Sequence, residues 1–239
     1  MERPYSLAIA LLAGLIPGIA SADGPVTTVF FNTGNEIPTP TGCPRAVGVE
    51  RQMGGHPERI EMPLLDCDRT PREEAVVALS LLARPRTRAA PTPEELEAFD
   101  RASHPGYLAE DIRELDPELL VRLQRLGEAF EGHAIQIYSG YRPQSGPTSR
   151  HHHARALDLM VEGVESERVR DVASGFDQTG VGWYPNSTFV HIDVRDESHY
   201  WVDLSGPGES PLYLAGTSPS IPSREEIEAS LEGISIPLP

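Results

Sequence analysis

The spacing of apolar residues changes several times along the chain, and each change predicts an element. Pro71 to Leu82 places apolar residues at helical spacing behind Glu73 and Glu74. Thr92-Pro93-Glu94-Glu95 supplies an N-cap, a proline at the first helical position and a capping-box glutamate, predicting a short helix to about Ala102. A stronger helix opens at Asp116-Pro117, puts Leu119, Leu120, Leu123, Leu126 and Phe130 on one face and ends at Gly132. Ser166 to Phe176 is predicted as another helix, with Val169, Val172, Ala173 and Phe176 inward and Ser166 as its cap.

Between these helices the period falls to two. His133 to Tyr138 reads as a strand, as does Ala156 to Met160, where Leu157 and Leu159 point one way and Ala156, Asp158 and Met160 the other. Thr188 to Val194 sets Val190, Ile192 and Val194 against Phe189, His191 and Asp193, so His191 and Asp193 share a face. Gly180 to Pro185 reads as a tight crossing and Tyr200 to Asp203 as the closing strand of the sheet. Before residue 71 the signal is weaker: Val26 to Phe31, Val47 to Glu50 and Arg59 to Pro63 are short strand candidates around a Pro- and Thr-rich stretch. The expected fold is α+β, a small, mostly antiparallel sheet with helices packed on one face, preceded by a loop-rich, partly β N-terminal region. The expected division is a leader at 1–22, an accessory region at 23–90, a main domain at 91–205 and an extension at 206–239. That extension ends in an acidic helix opened by the capping box Ser223 to Glu226.

Composition narrows the functional classes. The formal charge is −16, from 36 Asp and Glu against 20 Lys and Arg, which argues against nucleic acid as a partner because phosphate binding needs clustered cations. Residues 1–22 have a charge at Arg3, an interrupted apolar run from Leu7 to Ala20 and a small-x-small end at Ala20-Ser21-Ala22. That is the anatomy of a secretory signal peptide cut before Asp23, with no stable membrane insertion expected after cleavage. No Cys follows the small residues to carry a lipid. Cys43 and Cys67 are the two cysteines of the chain, and in an oxidising compartment they are expected to form one disulfide. A loop of this length contributes about 3 kcal/mol through the unfolded state.

The chemistry concentrates in Ser149 to Asp158 and Phe189 to Asp193. Imidazoles at 151–153, the carboxylate of Asp158 and the imidazole of His191 form a ligand set that Zn²⁺ accepts, with a fourth position left for water. Three successive histidines on extended backbone cannot all reach one ion, because neighbouring side chains point to opposite faces. Arg142, at the end of a predicted strand, carries a planar fork suited to a carboxylate or a carbonyl oxygen.

These blocks resemble a known group. The spacing of His151, Ala154, Ala156 and Asp158 is similar to the Ser-x-His-x-x-Gly-x-Ala-x-Asp signature of the zinc peptidases related to lysostaphin, D-Ala-D-Ala metallopeptidases and Sonic hedgehog. Tyr138-Ser-Gly-Tyr-Arg142-Pro143, the signature, Gly180 to Pro185 and Phe189 to Asp193 follow one another as in the YcbK-like (MepK-like) murein endopeptidases. The likeness covers roughly residues 112 to 203. It implies that His151, rather than His152 or His153, joins Asp158 and His191 as ligands of Zn²⁺. It further implies that Arg142 faces the site, orienting substrate or stabilising an oxyanion. Asp193 is the nearest candidate general base, although the rise along a strand, about 6 to 7 Å over two residues, also suits a supporting role behind His191.

The resemblance implies hydrolysis of peptidoglycan peptides in the periplasm or outside the cell. A non-catalytic wall-binding module on the same fold is the alternative. Two departures stand out: the family's glycine is Ala154 here, harmless only if φ is negative at that position, and Arg150 replaces a small or apolar residue.

Overall fold

The computed structural model describes residues 42–53, 55–206 and 208–216; the leader, the strand candidate at 26–31 and the acidic helix at 223–232 lie outside them. The elements run β1 (Val47–Met53), β2 (His56–Met62), α1 (Glu73–Leu82), α2 (Pro93–Ala98), β3 (Tyr107–Ala109), β4 (Ile112–Arg113), α3 (Glu118–Ala129), β5 (Ile135–Ser139), a 3-10 turn (Arg150–His153), β6 (Ala156–Val161), α4 (Ser166–Ser174), β7 (Thr179–Trp183), β8 (Val190–Val194), β9 (His199–Asp203) and β10 (Tyr213–Gly216). No helix among the described residues is long and apolar enough to cross a membrane.

Eight strands form one sheet in the order β10-β9-β7-β8-β6-β5-β1-β2, and β3 pairs with β4 in a separate ribbon. The α+β class holds, but the expected small, mostly antiparallel sheet is corrected to a large mixed one. Two of its pairings, β1 with β5 and β7 with β9, are parallel. Parallel partners lie far apart in sequence and leave no hairpin signal between them, so neither pairing was legible in advance. The closing strand is also corrected, because β10 pairs antiparallel beyond β9. The chain is brought back to it by Asp203, whose Oδ1 accepts from the amides of Ser205 and Leu212 at 3.0 Å each.

The helices cover one face. Leu157, Leu159, Val181, Trp183, Val190, Ile192, Ile135, Ile137 and Val49 are buried there against Leu119, Leu120, Leu123 and Leu126 of α3, Val169, Val172 and Ala173 of α4 and Ala75, Val76 and Leu79 of α1. Each fully buried aliphatic side chain contributes about 1.5–3 kcal/mol, so this layer supplies the bulk of the stabilisation. The capping box of α2 forms as expected, with Thr92 Oγ1 accepting from Glu95 N and Glu95 Oε2 from Thr92 N, though the helix is shorter. Ser166 does not cap α4; its hydroxyl instead accepts from Trp183 Nε1 at 3.2 Å, and the preceding residue Glu165 makes no capping bond.

The chain ahead of α2 is fastened to the same core. Cys43 and Cys67 are joined by a disulfide. The buried Gln124 of α3 accepts from Leu64 N at 2.9 Å and donates to Arg45 O at 3.1 Å. The stretch after α1 is held by Arg84, which donates to both carboxylate oxygens of Glu58 at 2.6 and 2.7 Å. Arg51, wholly buried, donates to Leu82 O at 2.8 Å and so satisfies a carbonyl at the end of α1, which has no basic residue in its last turn.

Candidate metal centre

The uncovered face of the sheet carries the chemistry. β6 and β8 pair antiparallel with Asp158 directly opposite His191, and because Leu157, Leu159, Val190 and Ile192 go to the core, alternation turns Asp158 and His191 outward together. His151 arrives from the 3-10 turn leading into β6. Its backbone oxygen accepts from Arg142 N at 3.1 Å, and its Nδ1–H donates to the Gly140 carbonyl at 2.7 Å. Ala154 ends the turn at φ 55°, ψ 31°. The family's glycine position is therefore left-handed in this chain, and the condition under which an alanine costs nothing is not met.

The hydrogen bonds decide how each ring is protonated. A carbonyl can only accept, so Gly140 O requires the proton on His151 Nδ1 and leaves Nε2 with a lone pair. Asp193 Oδ2 lies 3.0 Å from His191 Nε2, which puts that proton on Nε2 and frees Nδ1. The two free nitrogens then face each other at 3.1 Å, with Asp158 Oδ1 at 2.9 Å from His191 Nδ1 and 3.2 Å from His151 Nε2. Three buried acceptors at such spacing repel one another unless a cation sits among them. A tetrahedral ion with Zn–N bonds near 2.0–2.1 Å separates its ligand atoms by about 3.3 Å, close to all three distances. His151, Asp158 and His191 therefore form a group able to hold a metal ion, the one such group among the described residues.

Electrostatics points the same way. In the metal-free chain, where a proton can take the cation's place among the three ligands, the contacts with His151 and His191 outweigh the burial that disfavours a charged Asp158 and hold its carboxyl well below the usual range. Burial also opposes a charged His191, but Asp158 and Asp193 overcome that and raise its pKa above the ordinary imidazole value.

Behind His191 the sheet is built to hold one ring orientation. Asp193, fully buried, gives Oδ2 to His191 and also accepts from Arg195 at both oxygens, 2.6 Å from Nε and 2.8 Å from Nη2. Both oxygens are thus occupied on the side of His191 away from Asp158. Room for this pair comes from Gly180 of β7, where a Cβ would stand 2.4 Å from Asp193 Oδ1 and from Arg195 Nε. Gly182 makes the same allowance for Trp201, whose indole would be 2.4 Å from a Cβ there and packs 5.1 Å from the His191 ring. Gly180 to Trp183 of the segment read as a tight crossing are hence part of a fully buried strand, and its glycines are spaces for its neighbours' side chains. Arg195 and Trp201 were not singled out as site residues; the period-two alternation that placed His191 and Asp193 on one face also reaches Arg195.

Arg142 reaches the site, with Nη2 3.6 Å from Asp158 Oδ2, and its guanidinium is half exposed. His152 and His153 turn away, Nδ1 of the first to Pro143 O at 3.1 Å and Nε2 of the second to Pro147 O at 2.6 Å. His56 is exposed at the start of β2, and His199 opens β9 with its ring 5.9 Å from Trp201. Along the other side of the ligands, Tyr138 stacks on Phe189 with ring centres 5.1 Å apart, and Tyr184 lies 4.8 Å from Phe189. Burial pushes the Tyr184 hydroxyl far above the ordinary tyrosine range, so it stays a neutral group.

With this geometry in view, comparison with known proteins adds a likeness for the part of the chain that carries it. Residues 92–200 match the family model of peptidoglycan L,D-endopeptidase MepK. Over these residues the chain is MepK-like. It is 33% identical over 107 residues to the peptidoglycan L,D-endopeptidase MepK of Escherichia coli K12 and of Shigella flexneri, covering 39% of this chain and 59% of each relative. It is 26% identical over 97 residues to a probable peptidoglycan L,D-endopeptidase MepK of Haemophilus influenzae, covering 35% of this chain and 52% of that protein. The chain thus spans between half and three-fifths of the length of these MepK relatives. No solved structure matches it. The MepK-like segment contains all three candidate metal ligands together with Arg142, Asp193 and the Tyr138–Phe189 stack, whereas β1, β2 and α1 precede it.

Proposed function

We propose that this protein is a zinc-dependent peptidase that hydrolyses an L,D peptide bond in peptidoglycan. The observation that carries the reading is the convergence of His151 Nε2, Asp158 Oδ1 and His191 Nδ1, each with its lone pair aimed at one point on the open face. When bound there, zinc supplies a Lewis acid that polarises a scissile carbonyl and makes water nucleophilic near neutral pH. The chain's own residues do the rest. Arg142 offers its solvent-facing N–H groups to the substrate carbonyl or a nearby carboxylate, while its contact with Asp158 keeps the guanidinium over the site. Asp193 holds His191 in the tautomer that binds a cation; with both oxygens occupied it acts through His191 rather than on substrate. Tyr138, Phe189 and Tyr184 offer the substrate an apolar flank beside the ligands.

The bond and the substrate follow from the names of the MepK relatives. Residues 1–22 are proposed to be removed on export, placing the mature chain in the periplasm or outside the cell, where its disulfide is stable. A wall-binding module without activity has no need of three converging ligand atoms, and nothing else here favours it.

The test is digestion of purified sacculi by zinc-loaded protein, followed by mass spectrometry of the released muropeptides, with chelated protein and His151→Ala alongside. Stem fragments cut at an L,D bond are expected from the loaded protein alone. Protein holding one zinc per chain that releases no fragments would overturn the reading.

A further inference from the structure

Arg86 precedes the MepK-like segment, yet its side chain is fastened to Tyr138, inside that segment. The register between β5 and β6 shifts at Tyr138, because Ile137 faces Leu159 and Ser139 faces Asp158 with one residue too many on β5. Such a bulge takes its extra residue out of the ladder and re-aims the side chain. Here it leaves Tyr138 half exposed, stacked on Phe189 beside Asp158 and His191, and it leaves the Tyr138 carbonyl to be satisfied elsewhere. Arg86 satisfies it, donating from Nη1 at 3.0 Å, and lies over the Tyr138 ring with Cζ 5.6 Å from its centre.

Two anchors thus fix an exposed guanidinium one strand from the metal ligands, and neither anchor neutralises it. Among the described residues no carboxylate comes within ion-pair distance of Arg86. The buried Arg51 feels its charge together with those of Arg84 and Glu58, and Arg84 and Glu58 already pair with each other. Burial first, and then the positive charges of Arg86 and Arg84, lower the Arg51 guanidinium to about 10. In a chain of net charge −16 this corner is locally cationic.

We propose that Arg86 is a specificity-determining residue that holds a free carboxylate of the peptide substrate through its remaining N–H groups, while the Tyr138–Phe189 stack supports the adjoining chain. The proposal rests on the peptidase reading above. An extended peptide covers about 3.3 Å per residue. A carboxylate held by Arg86 therefore lies within a few residues of the bond placed over His151, Asp158 and His191, as in an acidic stem peptide.

The experiment compares zinc-loaded wild type, Arg86→Gln and Arg86→Lys on two substrates, a synthetic stem peptide with free side-chain carboxylates and the same peptide fully amidated. A charge-assisted bond predicts that wild type prefers the free acid by about tenfold or more in kcat/KM. The preference, read as the ratio between the two peptides so that any loss common to both cancels, is expected to reside in KM, to disappear in Arg86→Gln and to survive in part in Arg86→Lys. An unchanged preference in Arg86→Gln overturns the proposal, and so does an equal loss on both peptides, which would mark Arg86 as a prop for the bulge. Wild type that cuts neither peptide removes the peptidase reading itself, a result separable from the other two.

Discussion

The two faces of the sheet are made from alternate residues of the same strands, yet they obey different rules. Toward the helices, Leu157, Leu159, Val190 and Ile192 fill space, and any side chain of similar volume meets most of the requirement. Toward solvent, Asp158, His191 and Asp193 are constrained atom by atom, since a shift of half an ångström in a lone pair changes what can bind there. Stability is written on one face and chemistry on the other, within a single β6–β8 pair.

Neighbouring substitutions separate the two most sharply. Asp158→Asn should bring sacculus hydrolysis to background and abolish stoichiometric zinc binding while leaving the chemical denaturation midpoint of the metal-free chain almost unmoved. Leu157→Ala, one residue earlier, should cost about 2–5 kcal/mol of unfolding free energy. The molecules that remain folded should still bind zinc, measurable by calorimetry below the denaturation range. If Leu157→Ala impaired zinc affinity as much as Asp158→Asn, the division between the faces would be lost.

Smaller effects refine the comparison. Asp193→Asn keeps the shape but gives up a charge-assisted bond to His191, and a loss of about 10–100-fold in zinc affinity is expected in competition titrations. A change within twofold would mean that Asp193 does not orient the ring. On the covered side, burial, followed by the contact with Tyr107, pushes the Tyr141 hydroxyl up to about 12 from an ordinary value of 10.0. A phenol whose pKa rises on folding stabilises the protein fully below its unfolded value and less as pH climbs through the folded one. Denaturation midpoints of Tyr141→Phe and wild type should therefore converge in their pH dependence below about pH 10 and diverge above it, wild type weakening faster. Ala154→Gly should move stability by less than about 1 kcal/mol. Relief of the left-handed backbone is offset by chain entropy and by a lost buried methyl.

The same division explains what could be read in advance. The covered face was legible because Leu119, Leu120, Leu123 and Leu126 repeat at helical spacing and Leu157/Leu159 and Val190/Ile192 alternate, patterns that packing enforces locally. On the open face, alternation alone put His191 and Asp193 side by side, and the family resemblance selected His151. The structure adds why it turns inward, namely the Gly140 carbonyl that holds Nδ1. The strand β7 escaped notice because Gly180 and Gly182 erase its alternation; the atoms that fill those positions belong to Asp193, Arg195 and Trp201. The full width of the sheet escaped it too, since the β1–β5 pairing joins residues 49–50 to 135–136 with no local trace. Arg86 fell within the expected accessory region at 23–90, and only the bulge at Tyr138 gives it a place.

β6 and β8 occupy the fourth and fifth places among eight strands. Their amides are paired on both sides and should be among the slowest in the molecule to exchange with deuterium. The frame that presents His191 and Asp158 is accordingly complete before any ion arrives, in contrast to small metallodomains that fold around theirs. Little of the ion's affinity is consumed in ordering the chain, so stripping and reloading the centre should be a reversible operation on a rigid object, and one metal should be exchangeable for another without unfolding.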